Sequence, residues 1–300
     1  MSKGTRNIAA SVRQKLKNQA AQDKRPFAEL LQYYAMERFL YRLTQSSHAD
    51  KFVLKGALML RVWQSSQYRP TMDIDMLGKT SNVIDDICTQ VAEIISVVVD
   101  DGLLFDPATI RGERIKEGAD YEGVRVRFNG TLDNARVNMQ IDVAFGDVIY
   151  PEPIEEELPA MLNLVAPRLL CYSRESVIAE KFEAMIKLRE LNSRMKDFYD
   201  IWLLSRQFDF DGAELAEAMR LTLENRGTEI PETITAFTDE FIKAKDKQWA
   251  AFHMRLGQEH VPTDFADVVA GIKTFLQPIA SALYIDEEFE RQWSLTNYWT

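Results

Sequence analysis

The segment Arg69-Pro70-Thr71-Met72-Asp73-Ile74-Asp75-Met76 carries two carboxylates two residues apart. On a strand, residues i and i+2 project to the same face. Thr71, Asp73 and Asp75 would share one face, with Met72, Ile74 and Met76 on the other, against a core. Side-by-side carboxylates repel unless positive charge lies between them. A hard divalent cation, Mg²⁺ or Mn²⁺, held by such oxygens together with substrate phosphates, answers that need. Ions held this way activate an attacking hydroxyl and clamp a leaving pyrophosphate. A bare Asp-x-Asp also occurs on exposed strand edges and turns, so its neighbours decide its meaning.

Lys55-Gly56-Ala57 lies just upstream, between a short apolar run, Phe52-Val53-Leu54, and a short helix expected over 58–66. A turn of small residues at a helix start leaves N–H groups free for a phosphate. Asp142 sits on the polar face of a later strand, where parallel placement beside the pair would supply a third carboxylate; a half-buried loop cap is the other reading. Lys181 falls on the apolar stripe of a helix, four residues after Val177 and four before Met185. A lysine there either snorkels to water or meets an anion. Asp197 and Asp200 share a face of the following helix with Leu204. The helix dipole accounts for Asp197; Asp200, beside Ile201 and Trp202, fits that account less well and could orient Lys181 or a nucleotide.

The elements that must hold these groups follow from periodicity. Helices are expected over 7–22 and 26–45, a strand over 71–77, and a helix from an N-cap at Ser81 to about Val99. Val124, Val126 and Phe128 alternate with Arg125 and Arg127. Val137, Met139, Ile141, Val143 and Phe145 alternate with Asn138, Gln140, Asp142 and Ala144. This period of two marks half-buried antiparallel neighbours. Tyr150-Pro151-Glu152-Pro153, the glutamates 155–157 and Pro159 break the pattern. The expected division is therefore 1–155, an α/β domain with N-terminal helices, and 156–300, a helical domain that contributes Lys181 and Asp200 to the cleft. Helices are expected there at 158–164, 173–190, 195–207, 211–225, 231–252, 264–283 and 286–293.

The 300 residues carry a net charge of -10 and are 46% hydrophobic and 27% charged, an ordinary globular balance. No apolar run reaches the roughly 20 residues of a membrane span, and the N-terminus lacks an apolar signal core, so a cytoplasmic protein without a membrane partner is expected. His48, His253 and His260 lack metal spacing, Cys88 and Cys171 form no motif, and neither a P-loop nor a Rossmann glycine pattern occurs. Residues 1–25 are basic, with Lys3, Arg6, Arg13, Lys15, Lys17, Lys24 and Arg25 against Asp23. Such a segment on an acidic body binds RNA or forms a solvated helix.

In this order, Leu54-Lys55-Gly56-Ala57-Leu58, Arg69-x-Thr71-x-Asp73-Ile74-Asp75, Ile141-Asp142-Val143, Ser176-Val177-Ile178-Ala179-Glu180-Lys181 and Lys196-Asp197-x-x-Asp200-Ile201 resemble the AbiEii/AbiGii nucleotidyltransferase toxins. The resemblance implies an α+β fold: a polymerase-β-like core with a small mixed sheet, plus a helical C-terminal domain. It implies a type IV toxin with a cognate antitoxin, moving a nucleotide from an NTP to an RNA acceptor, in some members the tRNA 3′ end, with Mg²⁺. It makes Asp73 and Asp75 metal ligands, with Asp142 as a third candidate, and adds Lys181 and Asp200 to the catalytic set. It assigns nucleotide contacts to Lys55, Gly56, Ala57, Arg69, Thr71 and Asp197. Where the family commonly has Gly-Gly-Thr after the lysine, this chain has Gly56-Ala57-Leu58, which stiffens the turn and removes a hydroxyl. Transfer to a protein hydroxyl or small molecule, and a partner-binding module without catalysis, are the competing readings.

Overall fold

A computed structural model describes residues 7–65, 69–117, 121–295 and 298–300. The chain divides into two compact units. The first holds the chain up to Gln64, Pro70–Gly146 and Ile154–Cys171; the second holds Ser65, Arg69, Asp147–Pro153 and the chain from Tyr172. Compared with a single boundary at 155/156, the α/β unit extends to Cys171 and two short stretches before it belong to the other unit.

The first unit contains helices α1 (Ile8–Gln22), α2 (Phe27–Thr44), α3 (Met59–Val62) and α4 (Ile84–Ile95). Its strands are β1 (Phe52–Lys55), β2 (Ile74–Gly78), β3 (Leu103–Glu117), β4 (Tyr121–Leu132), β5 (Ala135–Phe145), β6 (Ile154–Glu157) and β7 (Arg168–Cys171). They form one seven-stranded sheet in the order β3-β4-β5-β2-β1-β7-β6. It is mixed: β2 runs parallel to β5 and β1 to β7, while the other pairs are antiparallel. The expected α+β class with a mixed sheet is therefore the one observed.

α2 buries residues on every side. Each of its buried Gln32, Glu37, Arg38 and Arg42 side chains makes at least one hydrogen bond, although the Nε atoms of Arg38 and Arg42 find no partner among the described residues. The Arg42 guanidinium donates to both oxygens of Asp101 at 2.6 and 3.0 Å, and the Tyr34 hydroxyl donates to the Asp101 carbonyl at 2.7 Å. Phe39 packs against Phe105 and Phe128, with ring centroids 6.4 and 5.8 Å away. Gln32 acts more locally. Its side-chain amide donates to the carbonyls of Met72 and Asn138 at 3.0 and 3.1 Å, which ties the bend before β2 to β5.

The second unit contains α5 (Arg174–Leu188), α6 (Met195–Gln207), β8 (Phe210–Asp211), α7 (Gly212–Asn225), α8 (Asp239–Leu256), α9 (Phe265–Tyr284), β9 (Gln292–Ser294) and β10 (Tyr298–Trp299). Its core is aromatic: Phe198, Phe241, Trp249 and Phe265 pack around one another. The Trp293 indole closes the C-terminus onto α6 by donating to the Ser205 carbonyl at 2.6 Å.

Several expected elements are corrected. The helix expected at 58–66 is only Met59–Val62, and Gln64 at φ 53° turns the chain away. β2 starts at Ile74 rather than 71, and Met72 is 56% exposed instead of facing the core. The helix expected to reach Val99 is N-capped by Val83 and ends at Ile95, with Ser81 bonding the Val83 N–H instead. Residues 158–164 are a loop between β6 and β7, because Leu162 and Asn163 both take positive φ. The helix expected at 286–293 gives way to β9 after Asp286 at φ 57°. The helix expected at 231–252 is displaced and starts at Asp239, capped by the Thr238 side chain.

Candidate active site

The parallel register of β2 and β5 sets Asp75 opposite Asp142. Each lies between apolar neighbours that are fully buried: Ile74 and Met76 around the first, Ile141 and Val143 around the second. Both carboxylates consequently stand on the other face of the sheet. The same row continues across the strands: Lys55 on β1 is the partner of Asp75, Arg125 on β4 that of Asp142, and Glu113 on β3 that of Arg125. Asp73 joins from the bend before β2. Ligand oxygens of Asp73, Asp75 and Asp142 lie within 4.8 Å of one another. Three hard oxygen donors at this separation fit a Mg²⁺ or Mn²⁺ site, which characteristically takes a few carboxylates and leaves room for phosphate and water.

Each carboxylate has a defined neighbour. The Arg125 guanidinium donates to both Asp142 oxygens at 2.8 and 2.6 Å, and this fork holds Arg125 above its ordinary pKa. An ionised carboxylate has about four acceptor directions, so the fork leaves Asp142 able to take a cation. The Thr71 hydroxyl donates to Asp73 at 2.5 Å, and the Thr71 N–H to the Tyr33 hydroxyl at 3.1 Å. Gly56 opens the Gly56–Leu58 turn at φ 74°, and a Cβ built there would collide with the Asp75 carboxylate. Glycine is required twice over, by its backbone and by the space Asp75 occupies. Ala57 and Lys55 are both buried.

A second constellation lies within the helical unit. α5, capped by the Ser173 side chain, presents Lys181 to α6. The Lys181 ammonium bonds Asp197 and Asp200, each at 2.8 Å. Arg69 donates to both oxygens of Asp200 at 2.8 and 3.0 Å, and Arg194 donates to Asp197. The apolar-stripe lysine thus meets anions of its own chain. Arg69, Lys181, Asp197 and Asp200 are together here, while Asp73, Asp75, Asp142, Lys55, Gly56 and Thr71 are together in the first unit. Arg125 is a site residue that the sequence does not single out. The two-residue link Asp133-Asn134, with Asp133 at φ 54°, pairs Leu132 with Ala135, and counting back along that hairpin brings Arg125 to Asp142. In the basic N-terminal segment, Lys3 and Arg6 lie outside the described residues. Within α1, Arg13 reaches Asp133 at 3.5 Å.

Burial alone would raise the Asp197 carboxyl, but Lys181 and Arg194 outweigh it and bring it from 3.8 to about 2. Asp200 is lowered too, burial being overcome by Arg69 and Lys181. A carboxylate lowered in the folded state stabilises the fold above its unfolded value, and that contribution disappears as pH falls through the folded value. The stabilisation is therefore complete above about 3.8 and is lost on approach to about 2. Denaturant unfolding followed by tryptophan fluorescence should show wild type losing stability over that window and Asp197→Asn losing much less. Parallel pH profiles for the two proteins would contradict the assignment.

Among the described residues no helix is long and apolar enough to cross a membrane. A comparison with curated proteins finds no match. Among solved structures, a candidate nucleotidyltransferase from Helicobacter pylori has a similar fold, at TM-score 0.50 and 14% identity over 87% of this chain and 98% of that one. JHP933 from Helicobacter pylori is similar at TM-score 0.49 and 14% identity, over 86% and 94% of the two chains. At such identity the first likeness bears on fold alone. The family described as nucleotidyl transferase AbiEii toxin, type IV toxin–antitoxin system, matches residues 38–271. Matched over most of its length, with three carboxylates within 4.8 Å of one another, the chain belongs to the AbiEii family of type IV toxin–antitoxin systems and is a nucleotidyltransferase.

Proposed function

We propose that this nucleotidyltransferase is a Mg²⁺-dependent toxin of the cytoplasm that moves a nucleotide from an NTP to an RNA acceptor, the tRNA 3′ end, and so blocks translation until its antitoxin intervenes. The observation that carries the reading is the Asp73, Asp75 and Asp142 cluster beside the Gly56 turn. These carboxylates would hold the metal, Mg²⁺ or Mn²⁺, which when bound supplies charge neutralisation for the triphosphate and a more acidic acceptor hydroxyl. The rest is the work of the chain. Lys55, Gly56 and Ala57 form the turn for the triphosphate, and Asp75 stands against the glycine. The Thr71 hydroxyl orients Asp73, and the Arg125 fork orients Asp142. The acceptor oxygen bonds to the α-phosphorus, the bond to the bridging oxygen breaks, pyrophosphate leaves, and the hydroxyl proton passes to water.

For Lys181, Asp200, Asp197 and Arg69 we propose substrate contact or its support, with Lys181 as the phosphate contact. The family resemblance supports this. The closed ion pairs within the helical unit also give these residues a structural role. The net charge of -10 favours the second reading, transfer to a protein hydroxyl or small molecule.

Purified protein incubated with each labelled NTP, Mg²⁺ and total RNA should label a small RNA. Asp75→Asn should lower labelling by about two orders of magnitude or more. Label on protein alone would overturn the RNA assignment in favour of the second reading. Gly56→Ala, which displaces the Asp75 carboxylate, should cost on the order of a hundredfold in kcat/KM while the protein stays folded by circular dichroism. Wild-type activity in Gly56→Ala would refute the role given to that turn.

A further inference from the structure

β5 starts at Ala135, but its parallel partner β2 starts only at Ile74, opposite Ile141. Among the described residues, the stretch of β5 before Ile141 has no strand beside it on that edge. A cleft of about 440 Å³ occupies the gap, and Asp73 lines it. That volume suits a small-molecule-sized group. Met72 gives an apolar wall, and Asn138 and Gln140 give amides. The cations are Arg127 and Arg136. Arg127 shares an ion pair with Glu113 in which both side chains are half exposed. Arg136 is exposed and has no ion pair among the described residues.

Two arginines converge on this cleft in a chain of net charge -10, so the site selects an anion. Arg127 is the register partner of Gln140, four residues along β5 from Arg136. At strand rise that is about 13 Å, more than the spacing of successive phosphates in one strand. A flexible thioether such as Met72, 56% exposed, packs favourably against an aromatic ring, and guanidinium planes stack on bases. The side of Asp75 toward β1 carries Lys55 and Gly56, and the side toward β5 carries Asp142 and this cleft. The carboxylates thus have a turn for a triphosphate on one flank and a separate chamber on the other.

We infer that the β5 cleft is the acceptor subsite and takes the terminal nucleotides of a single RNA strand, with a base against Met72, the phosphates on Arg127 and Arg136, and the terminal ribose toward Asp73. This rests on the RNA reading above and deepens it.

The test separates binding from transfer. A fluorescent oligoribonucleotide of roughly ten nucleotides is titrated, without NTP, against wild type, Arg127→Ala, Arg136→Ala and the control Arg168→Ala. Arg168 is an exposed arginine that does not line the cleft. Both cleft variants should bind several-fold more weakly, and each should lower the slope of log affinity against log salt by about 0.7. The control should bind as wild type does. A thiouridine at the last position should photo-crosslink to the peptide holding Met72 or to residues 135–140. Wild-type affinity in both cleft variants, or crosslinks confined elsewhere, would overturn the subsite. In that case, continued RNA labelling by wild type would leave the RNA reading standing; label on protein alone would end both.

Discussion

A parallel register that sets Asp75 beside Asp142 forces two like charges onto adjacent strands, and Asp73 adds a third within 4.8 Å. At that distance each pair repels by about 1 kcal/mol under water-like screening and about 3 kcal/mol at an effective dielectric near 20. The buried neighbours Ile74, Met76, Ile141 and Val143 leave the carboxylates no other direction to take. The sheet can tolerate this only with compensation. Arg125 supplies it to Asp142, the Thr71 hydroxyl bonds Asp73, and Lys55 stands in register with Asp75. The three carboxylates remain a cluster of hard oxygen donors of the kind that could hold a divalent cation. The core that secures Ile74 and Ile141 therefore also fixes the chemistry of the opposite face.

Support for this arrangement comes from groups outside the carboxylate cluster. Gln32, 4% exposed, spans the Met72 and Asn138 carbonyls and so holds the bend that carries Asp73. The Arg42–Asp101 pair anchors α2 against the start of β3. Gly56 gives up its side chain so that Asp75 can lie against the turn. In the helical unit the same logic is carried by ion pairs. Removing one partner from a buried network such as Lys181, Asp197 and Asp200 leaves a charge unmatched, which typically costs 3–5 kcal/mol, about ten times an exposed pair. Any functional study of Lys181 has to separate that cost from lost catalysis.

Much of the site is legible in the sequence because it sits on regular strands. Alternation around Asp75 and Asp142 gives the polar face directly, and the glycine at 56 marks the turn. α6 forms over the residues its apolar period predicts, 195–207, since that period is unbroken. Arg125 is not legible from alternation alone, because the partner of a strand residue depends on register, which here is set by the Asp133-Asn134 link. β3 escapes a reading by periodicity because its sequence, LLFDPATIRGERIKE, lacks sustained alternation and contains Pro107 where the pairing shifts between Asp106 and Arg111. β6, Ile154-Glu155-Glu156-Glu157, is an edge strand whose charges guard against further pairing; in sequence it resembles a linker. Residues 286–293 have helical composition, but Trp293 is 2% exposed and bonded to Ser205, and that packing overrides local preference.

Crystals grown with Mn²⁺ and a non-hydrolysable NTP, measured for anomalous scattering at the manganese edge, test whether Asp73, Asp75 and Asp142 hold a catalytic divalent ion. The expected result is an anomalous peak bounded by carboxylate oxygens of Asp73, Asp75 and Asp142, at about 2.1 Å as for a small octahedral cation, with triphosphate oxygens completing the shell. Nucleotide bound with no manganese among these carboxylates, or manganese held elsewhere in the chain, would contradict it.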